Sequence, residues 1–172
     1  MNKITFKLLS ESDLELLHQW FHVPHVKQWY ARGESYTKEM IREKYLPRIG
    51  NPDIPNYIIY VDEHPIGYIQ YYILNKSLPE DVNSYQHPVF AKHDAKNMVG
   101  IDLFIADEKY LGRGISSDAL ECFIKQHLQH NFAAVVVDPL KSNHRAIAFF
   151  IRNKFKKLMG HNGKHELMML EL

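Results

Sequence analysis

The residues able to do chemistry in this chain fall in three places. Residues 110–117 read YLGRGISS and run directly into DALECFIKQHL, so Gly112 and Gly114 flank Arg113 just before an amphipathic run. A helix N-terminus exposes unpaired backbone N–H groups and the positive end of its dipole, and glycines let backbone approach a ligand at φ > 0. The N–H groups of residues 112–117, with Arg113 adding charge, therefore have the parts of a phosphate cradle. The segment lacks the GK[ST] of a P-loop and the six-residue GxGxxG spacing, and it fits a tight strand-to-helix turn equally well. Asp102 stands upstream in the apolar run MVGIDLFIA, and Asp138 ends the apolar run VVVDP. A carboxylate in apolar surroundings can bind a cation or accept a proton. The plain structural alternatives are an Asp102 paired to a neighbouring cation and an Asp138 that only makes an Asp-Pro turn.

Other chemistries are poorly supported. Eleven histidines invite a metal site, but His22 with His25, flanking Pro24, and His161 with His165 offer no third ligand and no HExxH arrangement. Metal catalysis is not expected. Cys122 is the only cysteine, which excludes an internal disulfide framework and a thiolate cluster. Net charge is +1, and Lys3, Lys7 and the KFKK run (154–157) read as solvated faces, so no nucleic-acid partner is expected. The opening MNKITFKLLSESDL has no apolar signal core, and no run approaches the ~18 residues that span a bilayer, so no membrane association and a cytoplasmic location are expected.

The elements that must position these residues follow from periodicity. With 172 residues, 45% hydrophobic and 24% charged, the chain suits one domain, residues 1–172, with a substantial core. Residues 3–9 read as a strand. SESD at 10–13 has the capping-box pattern before Leu14, Leu16, Leu17 and Trp20, giving a short helix that Pro24 interrupts. HVKQWY forms a loop or second short helix, and a further helix starts at Thr37 and ends near Pro47. YIIYV (57–61) and IGYIQYYIL (66–74), separated by DEHP, read as strand, turn, strand. Residues 75–97 form a long irregular loop, a frequent place for function. Residues 98–106 alternate, with Val99, Ile101, Leu103 and Ile105 on one face and Asp102 and Phe104 on the other. A helix follows the glycine loop through Ile115, Ala119, Leu120, Phe123, Ile124 and Leu128; AAVVV (133–137) is a strand buried on both faces. Residues 142–153 form a helix, and HNGK (161–164) turns between two final strands. The order β, αα, βββ, α, β, α, ββ defines an α+β (mixed α/β) fold, a mostly antiparallel mixed sheet with helices on both faces.

The glycine loop resembles the acetyl-CoA loop of the GNAT superfamily of N-acetyltransferases, where arginine or glutamine, two residues, glycine, one residue, then glycine or alanine opens a helix. Gly114 matches the central glycine, while Leu111 and Ser116 depart from the pattern. The segments ITFKLLSESDLELLHQW, QWY, KYLP, HPIGYIQYY, GIDLFIADEKYLGRGI and VVDPLKSNHRAI extend the likeness over roughly the whole chain, and they are similar to the aminoglycoside 6'-N-acetyltransferases.

The resemblance implies a GNAT fold and acetyl transfer from acetyl-CoA to a primary amine of a small substrate, an aminoglycoside-type amino sugar. Another small amine, such as a siderophore precursor, and a catalytically silent acyl-CoA-binding sensor are the alternatives. Asp102 matches the strand aspartate that engages the acceptor amine, and Asp138, Trp29, Tyr30, Gln70 and Tyr72 match acceptor-side positions. The main chain of Leu103, Phe104 and Ile105 would meet the pantetheine arm as a short β-augmentation. Gly112, Arg113, Gly114, Ile115, Ser116 and Ser117 would hold the pyrophosphate, and Asn143 would contact the cofactor arm unless it is only a helix cap. Where the superfamily carries a tyrosine that protonates the coenzyme A thiolate, this chain has Phe150. The loop 75–97 carries Glu80, Asp81 and Asp94 but also Lys76, Lys92 and Lys96, a weaker electrostatic match to a polycation. Chains of this kind occur as monomers or homodimers.

Overall fold

A computed structural model describes residues 3–160 and 162–172. The strands are β1 (Ile4–Leu8), β2 (Asn56–Val61), β3 (His64–Ile73), β4 (Met98–Ile105), β5 (Ala134–Val137), β6 (Lys156–Lys157) and β7 (Met168–Glu171). The helices are α1 (Leu14–Phe21), α2 (Pro24–Trp29), α3 (Lys38–Tyr45), α4 (Ile115–Phe123) and α5 (His144–Arg152), and a π turn (Ile124–Leu128) prolongs α4. The strands form one sheet in the order β1-β2-β3-β4-β5-β7-β6. The recorded pairings are antiparallel except β4 with β5, so the expected mixed, mostly antiparallel sheet is present. Two compact units make up the chain: residues 1–70 with 103–119, and residues 71–102 with 120–172.

The first unit is built on aromatic packing. Ser10 donates its N–H to Asp13 Oδ2 at 2.8 Å within the predicted capping box, and Leu14, Leu17, Trp20 and Phe21 then bury one stripe of α1. Pro24 does not merely break the chain; it occupies the first turn of α2, where a missing N–H costs nothing. Thr37 caps α3 by accepting the N–H of Met40 at 3.2 Å. The ring of Phe21 meets those of Tyr30, Tyr36, Tyr45 and Phe104 edge-on, with centroids 4.7–6.0 Å apart. Removing that one side chain would cost about 3–5 kcal/mol by the usual cavity argument. Beneath this cluster the Tyr68 hydroxyl contacts Asn56 Oδ1 and donates to Gln70 Oε1 at 2.7 Å, and Arg48 Nη1 donates to the same Gln70 oxygen at 2.8 Å.

The β2–β3 hairpin turns at Asp62 and Glu63, both at positive φ (+47° and +69°), as a two-residue turn matching strand twist requires. His64 and Pro65, expected in the turn, belong to β3.

In the second unit β5 is buried along its whole length, as its apolar run predicts. The Tyr71 ring packs with Phe123 and Phe132, and Phe150 with Phe149 and Phe155. The irregular segment 75–97 is pinned by buried Val82, Val89 and Ala95 and by short 3-10 turns at Pro88–Phe90 and Ala95–Asn97. The closing hairpin departs from its prediction. β6 and β7 pair antiparallel, but the chain between them is longer than a tight turn, and Leu140 bridges His165 within it. Of the predicted HNGK turn, His161 lies outside the described residues, and with it the His161–His165 pair.

Candidate active site

The carboxylates meet in the second unit. β4 and β5 run parallel with Met98 opposite Ala134, Val99 opposite Val135 and Gly100 opposite Val136. Carried two residues further, that register brings Asp102 level with Asp138 and on the same side, because side-chain direction repeats every two residues. Both side chains are half-buried. Burial, and then the Asp102 charge, raise the Asp138 carboxyl from 3.8 to about 6; the N–H of Glu80, donating to Asp138 Oδ2 at 2.7 Å, and the charge of His165 oppose that rise. Two carboxylates this close resist simultaneous ionisation, and a cation between them would relieve the repulsion.

Tyr72 completes this group. Its ring lies against Gly100, where a Cβ would fall on the ring atoms, so only glycine at that point of β4 admits it. Burial holds its hydroxyl well above the ordinary tyrosine value, and the charges of Asp138, Asp102 and Glu80 act in the same direction. Tyr72 is therefore a neutral hydrogen-bond donor beside two acids.

The glycine loop lies in the first unit. Gly112 and Gly114 take φ +73° and +84°, and both are exposed with open space where a Cβ would be. Among the described residues no acceptor stands against the N–H groups of residues 112–116, which leaves them for an anion. Ser117 differs from expectation: its N–H donates to the Gly114 carbonyl at 2.9 Å and is spent in the first helical turn. Arg113 is exposed.

At the end of β4 the backbone is held from several sides. Ala106 donates its N–H to the Ile66 carbonyl at 2.7 Å, and a Cβ on Gly67 would collide with the Phe104 carbonyl and with Ile105. His25 Nε2 lies 2.7 Å from the Ile105 carbonyl, which can only accept, so that nitrogen carries the hydrogen. The predicted alternation of β4 is not seen in its burial, because Met98 to Ile101 are all buried: the strand is covered on both sides there.

The remaining predicted residues are placed as follows. Trp29 ends α2 and is half-buried; Tyr30 follows it, with its ring centroid 4.6 Å from that of Phe104. Gln70 is buried in the network with Tyr68 and Arg48. Asn143 is the N-cap of α5, its Oδ1 accepting the Ala146 N–H at 3.1 Å. Phe150 is buried between Phe149 and Phe155 and brings no hydroxyl. His22 Nδ1 contacts the His18 carbonyl at 2.8 Å, and no cluster of three metal-ligating side chains occurs among the described residues. Sequence reasoning missed His25, Glu80 as a backbone donor, and the Asp81–His165 pair. Only the placement of Asp81 and Glu80 in a long loop hinted at them.

Paired acids that favour a cation lie in the second unit, and a helix start that favours an anion lies in the first. Residues 10–162 match the family described as Acetyltransferase (GNAT) domain. The chain belongs to this family and is an acetyltransferase. It is 25% identical over 159 residues to aminoglycoside N(6')-acetyltransferase type 1 of Klebsiella pneumoniae, covering 91% of this chain and 75% of that protein. The same figures hold for the protein of that name from Serratia marcescens. Among solved structures, aminoglycoside acetyltransferase AAC(6')-Ib in complex with coenzyme A matches with a TM-score of 0.77 at 24% identity, over 98% of this chain and 95% of that one. An uncharacterized protein from Bacillus halodurans matches with a TM-score of 0.80 at 19% identity, over 99% and 84%. At those identities the structural likeness is one of fold. No helix among the described residues is long and apolar enough to cross a membrane.

Proposed function

We propose that the protein transfers the acetyl group of acetyl-CoA to a primary amine of an amino sugar, with the 6'-amine of an aminoglycoside as acceptor. The observation that carries this is the carboxyl pair: burial and the Asp102 charge hold Asp138 up at about 6, an arrangement that an ammonium group stabilises. The relatives named for aminoglycoside N(6')-acetylation support the choice of acceptor.

An aliphatic amine arrives protonated and must lose its proton before it can attack. Asp102 binds the ammonium and takes that proton, directly or through water, while Asp138 and the Tyr72 hydroxyl orient the amine. The amine nitrogen then forms a bond to the thioester carbonyl carbon, the C–S bond breaks, and the nitrogen gives up its second proton to water. Phe150 offers no proton, so the sulfur leaves as thiolate, a tolerable leaving group at a thiol value of ~8.5, and takes its proton from water. The N–H groups of Gly112, Arg113, Gly114, Ile115 and Ser116 would hold the pyrophosphate. The main chain of Leu103, Phe104 and Ile105 would meet the pantetheine arm, as would the amide nitrogen that Asn143 keeps free of its cap. Trp29 and Tyr30 supply aromatic surface for the sugar, and Gln70 stiffens the layer behind it through Arg48 and Tyr68.

One observation favours a smaller amine instead. In the segment 75–97, Asp81 is bound to His165 and Asp94 caps the N–H of Lys96, so two of its three acids already hold partners within the protein. Thiol release from acetyl-CoA, measured against aminoglycosides with and without a 6'-amine and against small monoamines and hydroxylamines, separates the two. Turnover restricted to 6'-amino compounds is the expected result, and turnover of monoamines alone overturns it.

A further inference from the structure

Asp81 and His165 lie 84 positions apart in the sequence and meet in the second unit. One oxygen of Asp81, Oδ2, accepts the backbone N–H of His165 at 2.8 Å and also contacts its ring Nδ1 at 2.9 Å. These bonds hold the Asp81 carboxyl below its ordinary value, so it is ionised and Nδ1 carries the hydrogen. His165 is 6% exposed, and among the described residues its Nε2 has no partner. The contact is built at some cost. Asp81 sits at φ +63°, and Gly163 packs so closely that a Cβ there would run into the Asp81 carboxylate.

Both ends of this pair lead to Asp138. The residue before Asp81 is Glu80, whose N–H donates to Asp138 Oδ2. Around His165 the backbone grips the chain just after Asp138: His165 bridges Leu140, Glu166 donates its N–H to the Pro139 carbonyl at 2.8 Å, and Lys141 donates to the Lys164 carbonyl at 2.9 Å. The side chain of Asp138 and the backbone that carries it are thus fastened from two directions, and the two fastenings join at His165.

We propose that His165 is a positioning residue for the acetyl-transfer reaction: through Asp81 it keeps the Glu80 amide on the Asp138 carboxylate and so fixes how that carboxylate meets the acceptor amine. The proposal rests on the acceptor-side reading of Asp138. The groups that face Asp138 are Tyr72 on β3, Asp102 on β4, Glu80 on the long loop, and His165 itself. Of these, the Glu80 amide and the His165 charge favour its ionised form, so releasing the pair leaves Asp102 and burial less opposed.

The test compares His165→Phe, His165→Asn and Asp138→Asn. Phenylalanine keeps the shape and loses the donor, while the asparagine Nδ2 can replace Nδ1. In His165→Phe the acceptor KM rises roughly tenfold while kcat changes much less, as loss of a charge-assisted hydrogen bond would give. The acidic limb of its kcat/KM profile moves to higher pH, the acetyl-CoA KM stays put, and hydrogen exchange at the Glu80 amide accelerates. His165→Asn returns the acceptor KM and the Glu80 exchange most of the way, and the pH limb in part because asparagine carries no charge. Should His165→Phe not fold, Asp81→Ala carries the same expectation. A folded His165→Phe with wild-type acceptor KM and pH profile overturns the proposal, as does a His165→Asn no better than His165→Phe. If Asp138→Asn itself leaves the acceptor KM unchanged, the acceptor-side reading of Asp138 fails. Accelerated Glu80 exchange in His165→Phe would then show a latch with no role in transfer, which also overturns the proposal.

Discussion

Replacing Asp138 by asparagine should make the protein more stable at neutral pH and leave it unchanged in mild acid. In the unfolded chain this carboxyl titrates near 3.8, and in the folded chain near 6, raised by burial and by Asp102. Below 3.8 it is protonated in both states and costs nothing. As pH rises through 6 the folded state must carry the charge, so stability present in acid is lost across that window. The full difference corresponds to about 3 kcal/mol at 1.36 kcal/mol per pKa step. Asp138 keeps some solvent contact, so about half of that, ~1.5 kcal/mol, is the working figure. Asparagine still offers an oxygen to the Glu80 N–H, so the hydrogen bond is not sacrificed with the charge. For a chain of this length ~1.5 kcal/mol corresponds to a Tm about 3–6 °C higher. Urea unfolding followed by tryptophan fluorescence at pH 4, 6 and 7.5 reads the effect, with acetyl transfer measured alongside. A stability difference that does not vary with pH, or an Asp138→Asn protein weaker at pH 7.5, refutes the reasoning.

Four variants test other parts of the geometry. Asp102→Asn should lower kcat by at least ~10-fold with little change in coenzyme A affinity measured by calorimetry, since it removes the proposed base and leaves the loop intact. Gly100→Ala should destabilise by about 1–3 kcal/mol and raise the acceptor KM, because the new methyl group displaces the Tyr72 ring; unfolding and steady-state kinetics check both. Gly114→Ala meets no neighbouring atom, so its cost is conformational alone, ~1 kcal/mol at φ +84°, and a raised acetyl-CoA KM should come with it. Gly114→Asn should recover part of that loss, since asparagine tolerates the left-handed region better.

The glycine loop and Asp138 stand out in the sequence because each sits where a strongly periodic segment meets a turn residue, and Asp102 because it is a lone charge within an apolar strand. The buried run of β5 announced itself through length and β-branching. What stayed hidden is long-range. The contact of Asp81 with His165 leaves no local pattern, and neither does the His25 hydrogen bond to Ile105, which joins residues 80 positions apart. Residues 75–97 look irregular because buried Val82, Val89 and Ala95 are too far apart, with polar residues between, to set up either period. Strand β4 read as alternating because its residue types alternate, while Val99, Gly100 and Ile101 are in fact all buried. Asn143 shows the remaining ambiguity: its cap is visible, and the same side chain keeps an amide group that a cap does not need.

The parallel pairing of β4 with β5 has a kinetic consequence. Met98 can meet Ala134 only after the chain between them, α4 and its π turn included, has closed a loop that no hairpin shortens. Asp102 and Asp138 are therefore brought together by one of the slow, entropy-limited steps of folding, and their mutual repulsion is felt at that step. The repulsion rises only as the strands close, so a medium at about pH 5, in which the closed pair can take up a proton, should let the nascent chain complete that closure faster than a neutral one.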